Sequence, residues 1–427
     1  MAKVILHIDL NYFFVRCEEI KNPSLIGKPV AIGHVGRGGI VSTCSYKARE
    51  YGVRSGMPVF KALELCENLI LLNGDYPYYH QKSTEFFNFL KQFSTIIEPV
   101  SIDECYIDIT SQIKNNINPI EYIKNIQTKL FESTSLMCSI GVAKTKFLAK
   151  MGSDIKKPMG ITIIRNKDIP NILYPLKIED FFGIGKKTSP RLREIGINTI
   201  GDLAKRINND EIDEQLFNIL GKFYYGIKDW INGQGDDVVS TEQFDPKSIS
   251  HSHTLEKDTN DVDTIYEAIK IASKEVSKHA KSVNKIGLTV QLILKDNNFK
   301  SYVRSSKMKF NSNDFNDIYS QALSIFDNNF LKEGDTLFRL VGVGLQNLED
   351  EKDNSQQMSI FDNFDDINEK YATKLLVHQL NRKMKKGIFT TAGEILKEKN
   401  GNKWCFRKLF SIFKGWKKLV NIYNRII

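Results

Sequence analysis

The chain has 427 residues, 41% hydrophobic, 11% aromatic and 26% charged, which excludes a disulfide-stapled mini-protein and a wholly disordered chain. No apolar run reaches the roughly 18 residues of a spanning helix, Val4 to Ile8 is too short for a secretion signal, and six scattered cysteines show neither CxxC pairs nor a zinc pattern. We therefore expect a reduced, cytoplasmic protein of several domains with no membrane span; its net charge of +9 belongs to the tail, because residues 368–427 hold 15 Lys and Arg against Glu369, Glu394 and Glu398, a balance of +12 that leaves −3 on residues 1–367.

Val4, Leu6 and Ile8 alternate with Ile5 and His7, which predicts a short strand covered on both faces and ending at Asp9. Phe13, Cys17 and Ile20 recur at i, i+4 and i+7, predicting a helix over Tyr12 to Ile20 and placing Asp9 at a strand-to-helix junction. A second strand region is expected from Val30 to Ser42, interrupted by Gly36-Arg37-Gly38-Gly39, with helices near 47–51, 59–66 and 78–93. Between Glu98 and Ile109 the apolar positions change phase, even before residue 103 and odd after 104, as a two-residue hairpin turn with Asp103-Glu104 at its tip would require. A helix (118–131), a strand (137–142), a helix (145–155) and a strand (160–164) complete an α+β layer. The segment Phe181 to Leu203 reads as helix, glycine hairpin, helix. Residues 232–247 have linker composition, and 248–345 predict a second α/β unit with strands 287–294 and 338–345 and helices 262–279 and 315–326.

Asp9, Asp103 and Glu104 are the residue types of a two-metal carboxylate site: hard oxygen donors at neighbouring strand ends can hold two divalent ions about 3.5–4 Å apart for phosphoryl transfer. Solvated strand ends look the same, and spacing does not choose between them. Arg49 and Lys157, with Tyr46, offer the fork and the point charge by which phosphates are bound, or are surface residues. Gly183-Ile184-Gly185 is either a plain tight turn or a site where backbone amides approach a nucleic-acid phosphate.

Together HIDLNYFF (7–14), STCSYKAREYGVRSGMP (42–58), SIDECYID (101–108), GVAKTKFLAKMGSDIKKPMG (141–160) and FFGIGKKT (181–188) occur in the order and spacing of the Y-family translesion DNA polymerases. The chain resembles their bacterial DNA polymerase IV and UmuC-like branch over residues 3–345. The resemblance implies an α+β, multidomain right hand: palm 1–20 and 76–165, fingers 21–75, a helix-hairpin-helix thumb 166–233, a linker 234–247, a little finger 248–346, an acidic linker 347–367 and a basic extension 368–427. It implies catalysis by Asp9, Asp103 and Glu104, which with the Leu10 carbonyl would hold two Mg²⁺ ions, Mn²⁺ being a possible substitute. Phe13, Phe14, Thr43, Tyr46, Arg49 and Lys157 would bind the incoming dNTP, with Phe14 as steric gate against a ribose 2′-hydroxyl. Ile40 and Ser42 would roof the base pair, and Gly183, Gly185 and Lys186 would contact primer-template DNA. Asn11 departs from the family pattern, where many relatives have a second acid.

Gln357-Met358-Ser359-Ile360-Phe361 resembles the bacterial sliding-clamp-binding peptide, with Gln357, Met358, Ile360 and Phe361 as its anchors. Phe406, Leu409, Phe410, Phe413, Trp416, Val420, Tyr423 and Ile427 form a helical apolar stripe among basic residues, suited to the protein body or a partner and, as a second reading, to DNA or a membrane surface. No proofreading exonuclease domain is recognised, so low fidelity and lesion tolerance are implied, and a monomer is expected. The rival readings are a catalytically inactive clamp- and DNA-binding scaffold of the same fold and, more distantly, a palm-type nucleotide cyclase.

Overall fold

The computed structural model describes residues 3–113, 118–209, 211–242, 245–330 and 336–353. The 357–361 peptide and the basic stripe from 406 onward lie outside the described residues.

In chain order the first strands are β1 (Ile5–Leu10), β2 (Val30–Ile32), β3 (Thr43–Cys44), β4 (Ile70–Leu72), β5 (Ile97–Pro99), β6 (Glu104–Asp108), β7 (Cys138–Ala143) and β8 (Ile161–Ile164). Five make one sheet in the order β5-β6-β1-β7-β8, with β1 antiparallel to both neighbours. The even residues Leu6, Ile8 and Leu10 share a core with Phe86, Leu90, Ile123 and Ile126 of the helices Tyr76–Leu90 and Pro119–Thr134. On the other face, Ile5 shares a core with Phe147, Leu148 and Met151 of the helix Lys146–Ile155. Covering both faces explains why β1 reads as a nearly continuous apolar run. Strand alternation then puts His7 and Asp9 on the face of Ile5, under the helix Lys146–Ile155. That helix lies so close to β7 that a Cβ on Gly141 would overlap the Ala149 carbonyl.

The structure corrects two expectations. Glu104 is the first residue of β6, and the turn occupies Val100 to Asp103: Pro99 pairs with Cys105, while the amides of Val100 and Ser101 both donate to the Glu104 carbonyl. Half-exposed Val100 does not belong to the core face, so the apolar phase misplaced the tip. The interruption expected within 30–42 is present, Gly36 and Gly38 adopting φ of 147° and 75° that a strand cannot hold, but the strand after it, β3, lies at Thr43–Cys44, beyond the expected Ser42. β2, β3 and β4 form a second sheet, β3-β2-β4.

From Ile178 to Ile231 short helices pack on the helix Lys146–Ile155 through Phe181, Ile184, Leu192, Ile200, Leu203 and Tyr224. Thr199 and Asp202 cap one another's backbone amides at the start of the helix Ile200–Ile207, in the capping-box arrangement. A four-stranded antiparallel sheet follows, from β9 (Ser248–Thr259), β10 (Lys285–Asp296), β11 (Ser301–Ser312) and β12 (Phe338–Asp350), in the order β11-β10-β12-β9. The helices Val262–Ser282 and Phe315–Asn329 bury its core. Its two edge strands, β9 and β11, escape sequence reading because they are largely exposed and rich in Ser, Lys, His and Arg. The glycine loop after β2 meets this unit: Arg37 forms an ion pair with Asp258 and donates to the Glu256 carbonyl (3.2 Å), and Gly38 lies against Thr254.

Candidate active site

Asp9 stands directly opposite Glu104 in the β1–β6 ladder, and the Leu10 amide donates to the Asp103 carbonyl (2.9 Å), so pairing alone gathers the three acids at one sheet end. Beyond them Tyr12 takes a left-handed conformation (φ 37°) that turns the chain into the helix Phe13–Lys21. A cleft of about 140 Å³ opens here, lined by Asp9 and Asp103 together with Thr43, Tyr46, Arg49 and Lys157. Leu10 and Phe13 also border it.

Local capping places the phosphate-binding candidates. Ser45 accepts from the amides of Ala48 (3.1 Å) and Val30 (3.0 Å) and donates to the Lys28 carbonyl (3.0 Å), locking the helix Tyr46–Glu50 onto β2. The Arg49 guanidinium lies over the Tyr46 ring, 4.7 Å from its centroid, and the buried Tyr46 hydroxyl has no partner among the described residues. A cationic fork and an orphaned hydroxyl beside a lysine suit a polyanion.

Two lysines that the sequence reading did not combine with the acids neutralise them. Lys157 Nζ is 2.8 Å from Asp9 Oδ1, and Lys150 Nζ is 3.2 Å from Asp9 Oδ2 and 2.8 Å from Glu104 Oε2. Asp154 pairs with both. Burial opposes the charge on Lys150, but Asp9, Asp154 and Glu104 outweigh it and hold the ammonium above its usual range. The Glu104 carboxyl is pushed down to about 2 by the His7 imidazole beside it, against burial, and then by Lys150. Asp103 goes the other way. Burial raises its pKa, the Ser101 hydroxyl donating to Oδ1 (2.6 Å) opposes this, and the charges of Asp9 and Glu104 raise it further.

The expected trio is thus brought to one cleft but not to one point. The side-chain ligand atoms lying within 4.8 Å of one another belong to His7, Asp9 and Glu104, whereas the Asp103 carboxylate turns toward Ser101. The carboxylate donors fit a hard divalent cation, which would relieve the repulsion that Asp103 meets. His7, Lys150 and Ser153 were missed. Period two on β1 relates His7 to Asp9, and the i, i+3 spacing relates Lys150 to Ser153, so both could have been paired with the acids.

Phe13 is buried, while Phe14 is partly exposed with its ring stacked on Tyr79 at 4.5 Å and Tyr76 edge-on at 5.8 Å. Ile40 is exposed at its bridge to Pro58, and exposed Ser42 donates its amide to Ile32. Asn11 is buried: its amide donates to Ser139 (3.0 Å) and its carbonyl accepts from Met159 N (2.8 Å), a double role that an ionised acid could not fill. Gly183 needs its φ of 97°, and a Cβ there would strike the Phe223 ring; exposed Gly185 and Lys186 face open solvent in this separate turn.

Family models match residues 8–154 (impB/mucB/samB family), 166–197 (IMS family HHH motif) and 246–360 (impB/mucB/samB family C-terminal domain). The chain belongs to the impB/mucB/samB family. It is 36% identical over 392 residues to the DNA polymerase IV of Oceanobacillus iheyensis, covering 91% of each chain. It is 34% identical over 390 residues to DNA polymerase IV 1 of Bacillus subtilis, covering 88% of this chain and 92% of the relative. Among solved structures, the Y-family DNA polymerase chimera Dbh-Dpo4(243-245)-Dbh superposes with a TM-score of 0.72 at 30% identity, covering 81% of this chain and 99% of that one. The insertion ternary complex of Dbh DNA polymerase gives 0.56 at 29% identity, with the same coverage. The impB/mucB/samB chain therefore has the multidomain Y-family hand. Among its described residues no helix is long and apolar enough to cross a membrane.

Proposed function

We infer that this chain is a DNA-templated DNA polymerase of the translesion type, joining a dNTP to a primer 3′-hydroxyl. The observation that carries this reading is the cleft itself, which gathers acids, a cationic fork, hydroxyls and a lysine, in a chain aligned with DNA polymerases IV along nine-tenths of its length. We assign the palm to 1–20 and 76–165, the fingers to 21–75, the thumb to 166–233 and the little finger to 248–346. Asp9, Asp103, Glu104 and the Leu10 carbonyl would hold two divalent ions, Mg²⁺ or Mn²⁺, which when bound acidify the primer hydroxyl and neutralise the leaving pyrophosphate.

The chain's own residues do the positioning. Arg49, Lys157, Tyr46 and Thr43 hold the triphosphate, so Lys157 must leave Asp9 as the nucleotide arrives. The Phe14 ring, fixed by its stack on Tyr79, excludes a 2′-hydroxyl. Ile40 and Ser42 cover the nascent pair, and the Gly183–Lys186 turn offers amides and a cation to the DNA backbone. The Gln357–Phe361 peptide, by its resemblance, would tether the enzyme to a sliding clamp.

Primer extension on four templates differing in the templating base tests this directly. The account predicts incorporation of the complementary dNTP on each. Tight DNA binding without extension would favour the inactive scaffold.

A further inference from the structure

His7 has no part in the mechanism above, yet it is wholly buried against the acids. On β1 it points to the same side as Asp9, and its ladder partner is Tyr106, two residues from Glu104 on β6. Residues two apart across an antiparallel pair are diagonal neighbours on one face. The imidazole Nε2 lies 3.3 Å from Glu104 Oε2, off the line of a well-formed hydrogen bond, while Nδ1 lies 2.8 Å from the Ser153 hydroxyl. The ring also rests tilted on Tyr106, with centroids 4.8 Å apart. Ser153 Oγ also lies 2.9 Å from the Lys150 carbonyl one turn back in the helix Lys146–Ile155; when the hydroxyl gives its one proton to Nδ1 instead, the neutral imidazole carries its N–H at Nε2, facing Glu104. A rigid helix, one hydroxyl and a buried ring thus connect to a single oxygen of Glu104.

Lys150 reaches that same oxygen at 2.8 Å. Oε2 therefore meets protein groups on two sides, and Oε1 has no hydrogen-bond partner among the described residues.

We propose that His7 is a positioning residue: anchored by Ser153 and Tyr106, it fixes the rotation of the Glu104 carboxylate so that Oε2 faces the protein and Oε1 is presented to a divalent cation. This rests on the polymerase reading of the acids. It assigns His7 to support of a ligand and not to ligation, which its complete burial behind Glu104 favours. Groups that orient a ligating side chain in this way change metal affinity by about 10- to 100-fold when removed.

The test is direct Mn²⁺ binding by the full chain on primer-template DNA, read from the free-ion electron paramagnetic resonance signal. His7→Phe keeps a ring against Tyr106 and removes both nitrogens; it should weaken Mn²⁺ binding by about 10- to 100-fold. His7→Gln retains a donor toward Glu104 and should recover most of that loss. Ser153→Ala removes no atom that touches Glu104, so a weaker effect in the same direction tests the anchor even if His7→Phe fails to fold. Unchanged Mn²⁺ affinity in both His7→Phe and Ser153→Ala would overturn the proposal. So would ¹⁴N coupling from His7 in the spin-echo spectrum of bound Mn²⁺, which would make the ring a ligand. If the wild-type chain bound no Mn²⁺ at all, the polymerase reading of the acids would fail first, and this inference with it.

Discussion

At the scale of single residues, the two acids of the SIDE segment have opposite effects on stability. Glu104 is held at about 2, so its stabilisation is complete above the ordinary value of 4.5 and is lost as pH falls through about 2. Integrated over that interval it amounts to about 3 kcal/mol, shared with His7 and Lys150. Asp103 is raised, so its ionised form costs stability at neutral pH, and the cost vanishes as pH falls through the raised value. Without divalent cations, Asp103→Asn should therefore stabilise the chain, by about 1 kcal/mol, and thermal unfolding in chelator measures it; a lower melting temperature would contradict the electrostatic picture. Added Mg²⁺ should raise the melting temperature of the wild type more than that of Asp103→Asn. Phe14 gives a second prediction. Its ring lies flat on Tyr79, so Phe14→Ala should increase ribonucleotide insertion by orders of magnitude with a smaller change for dNTPs. An unchanged sugar preference would move the gate to Tyr12 or Phe13.

At the scale of elements, legibility followed burial. β1 and the helix Lys146–Ile155 were readable because one-sided or two-sided packing leaves a periodic apolar trace. β9 and β11 left none, because an edge strand with half its residues in solvent is stabilised by its ladder and not by its composition. The Asp103 turn was misplaced because Val100 is apolar without being buried, and periodicity cannot distinguish the two. The acids and Lys157 were found by motif, while Lys150 was not, since it becomes their neighbour only when a helix 141 residues on is laid over β1. The peptide at 357–361 is an element of a different kind, known here by sequence alone. A short peptide ligand draws its affinity from a few buried anchors. Changing Ile360 and Phe361 to Ala should remove roughly 3–6 kcal/mol of burial and abolish clamp stimulation while sparing basal extension. Retained stimulation would place the contact elsewhere, first in the 406–427 stripe.

At the scale of the whole molecule, Arg37 joins the glycine loop after β2 to the β9 edge of the four-stranded sheet through Asp258 and the Glu256 carbonyl. Both charged side chains are about a quarter exposed, so the pair is worth about 1 kcal/mol, enough to shift a two-state arrangement several-fold but not to lock it. Asp258→Lys should broaden the distance distribution between spin labels placed at exposed Lys61 and Lys278, and Arg37→Asp combined with Asp258→Arg should restore it. A distribution unchanged by Asp258→Lys would mean the clasp does not hold the two units together. The chemistry must not depend on this clasp, because Asp9 and Glu104 are set by the β1–β6 ladder and Asp103 by the turn that the Leu10 amide ties to it. Single-nucleotide incorporation by Asp103→Asn, on primer-template DNA that the variant still binds, therefore tests the central claim most directly. The account predicts that incorporation is abolished while DNA affinity is retained; incorporation above about a tenth of the wild-type rate would contradict it.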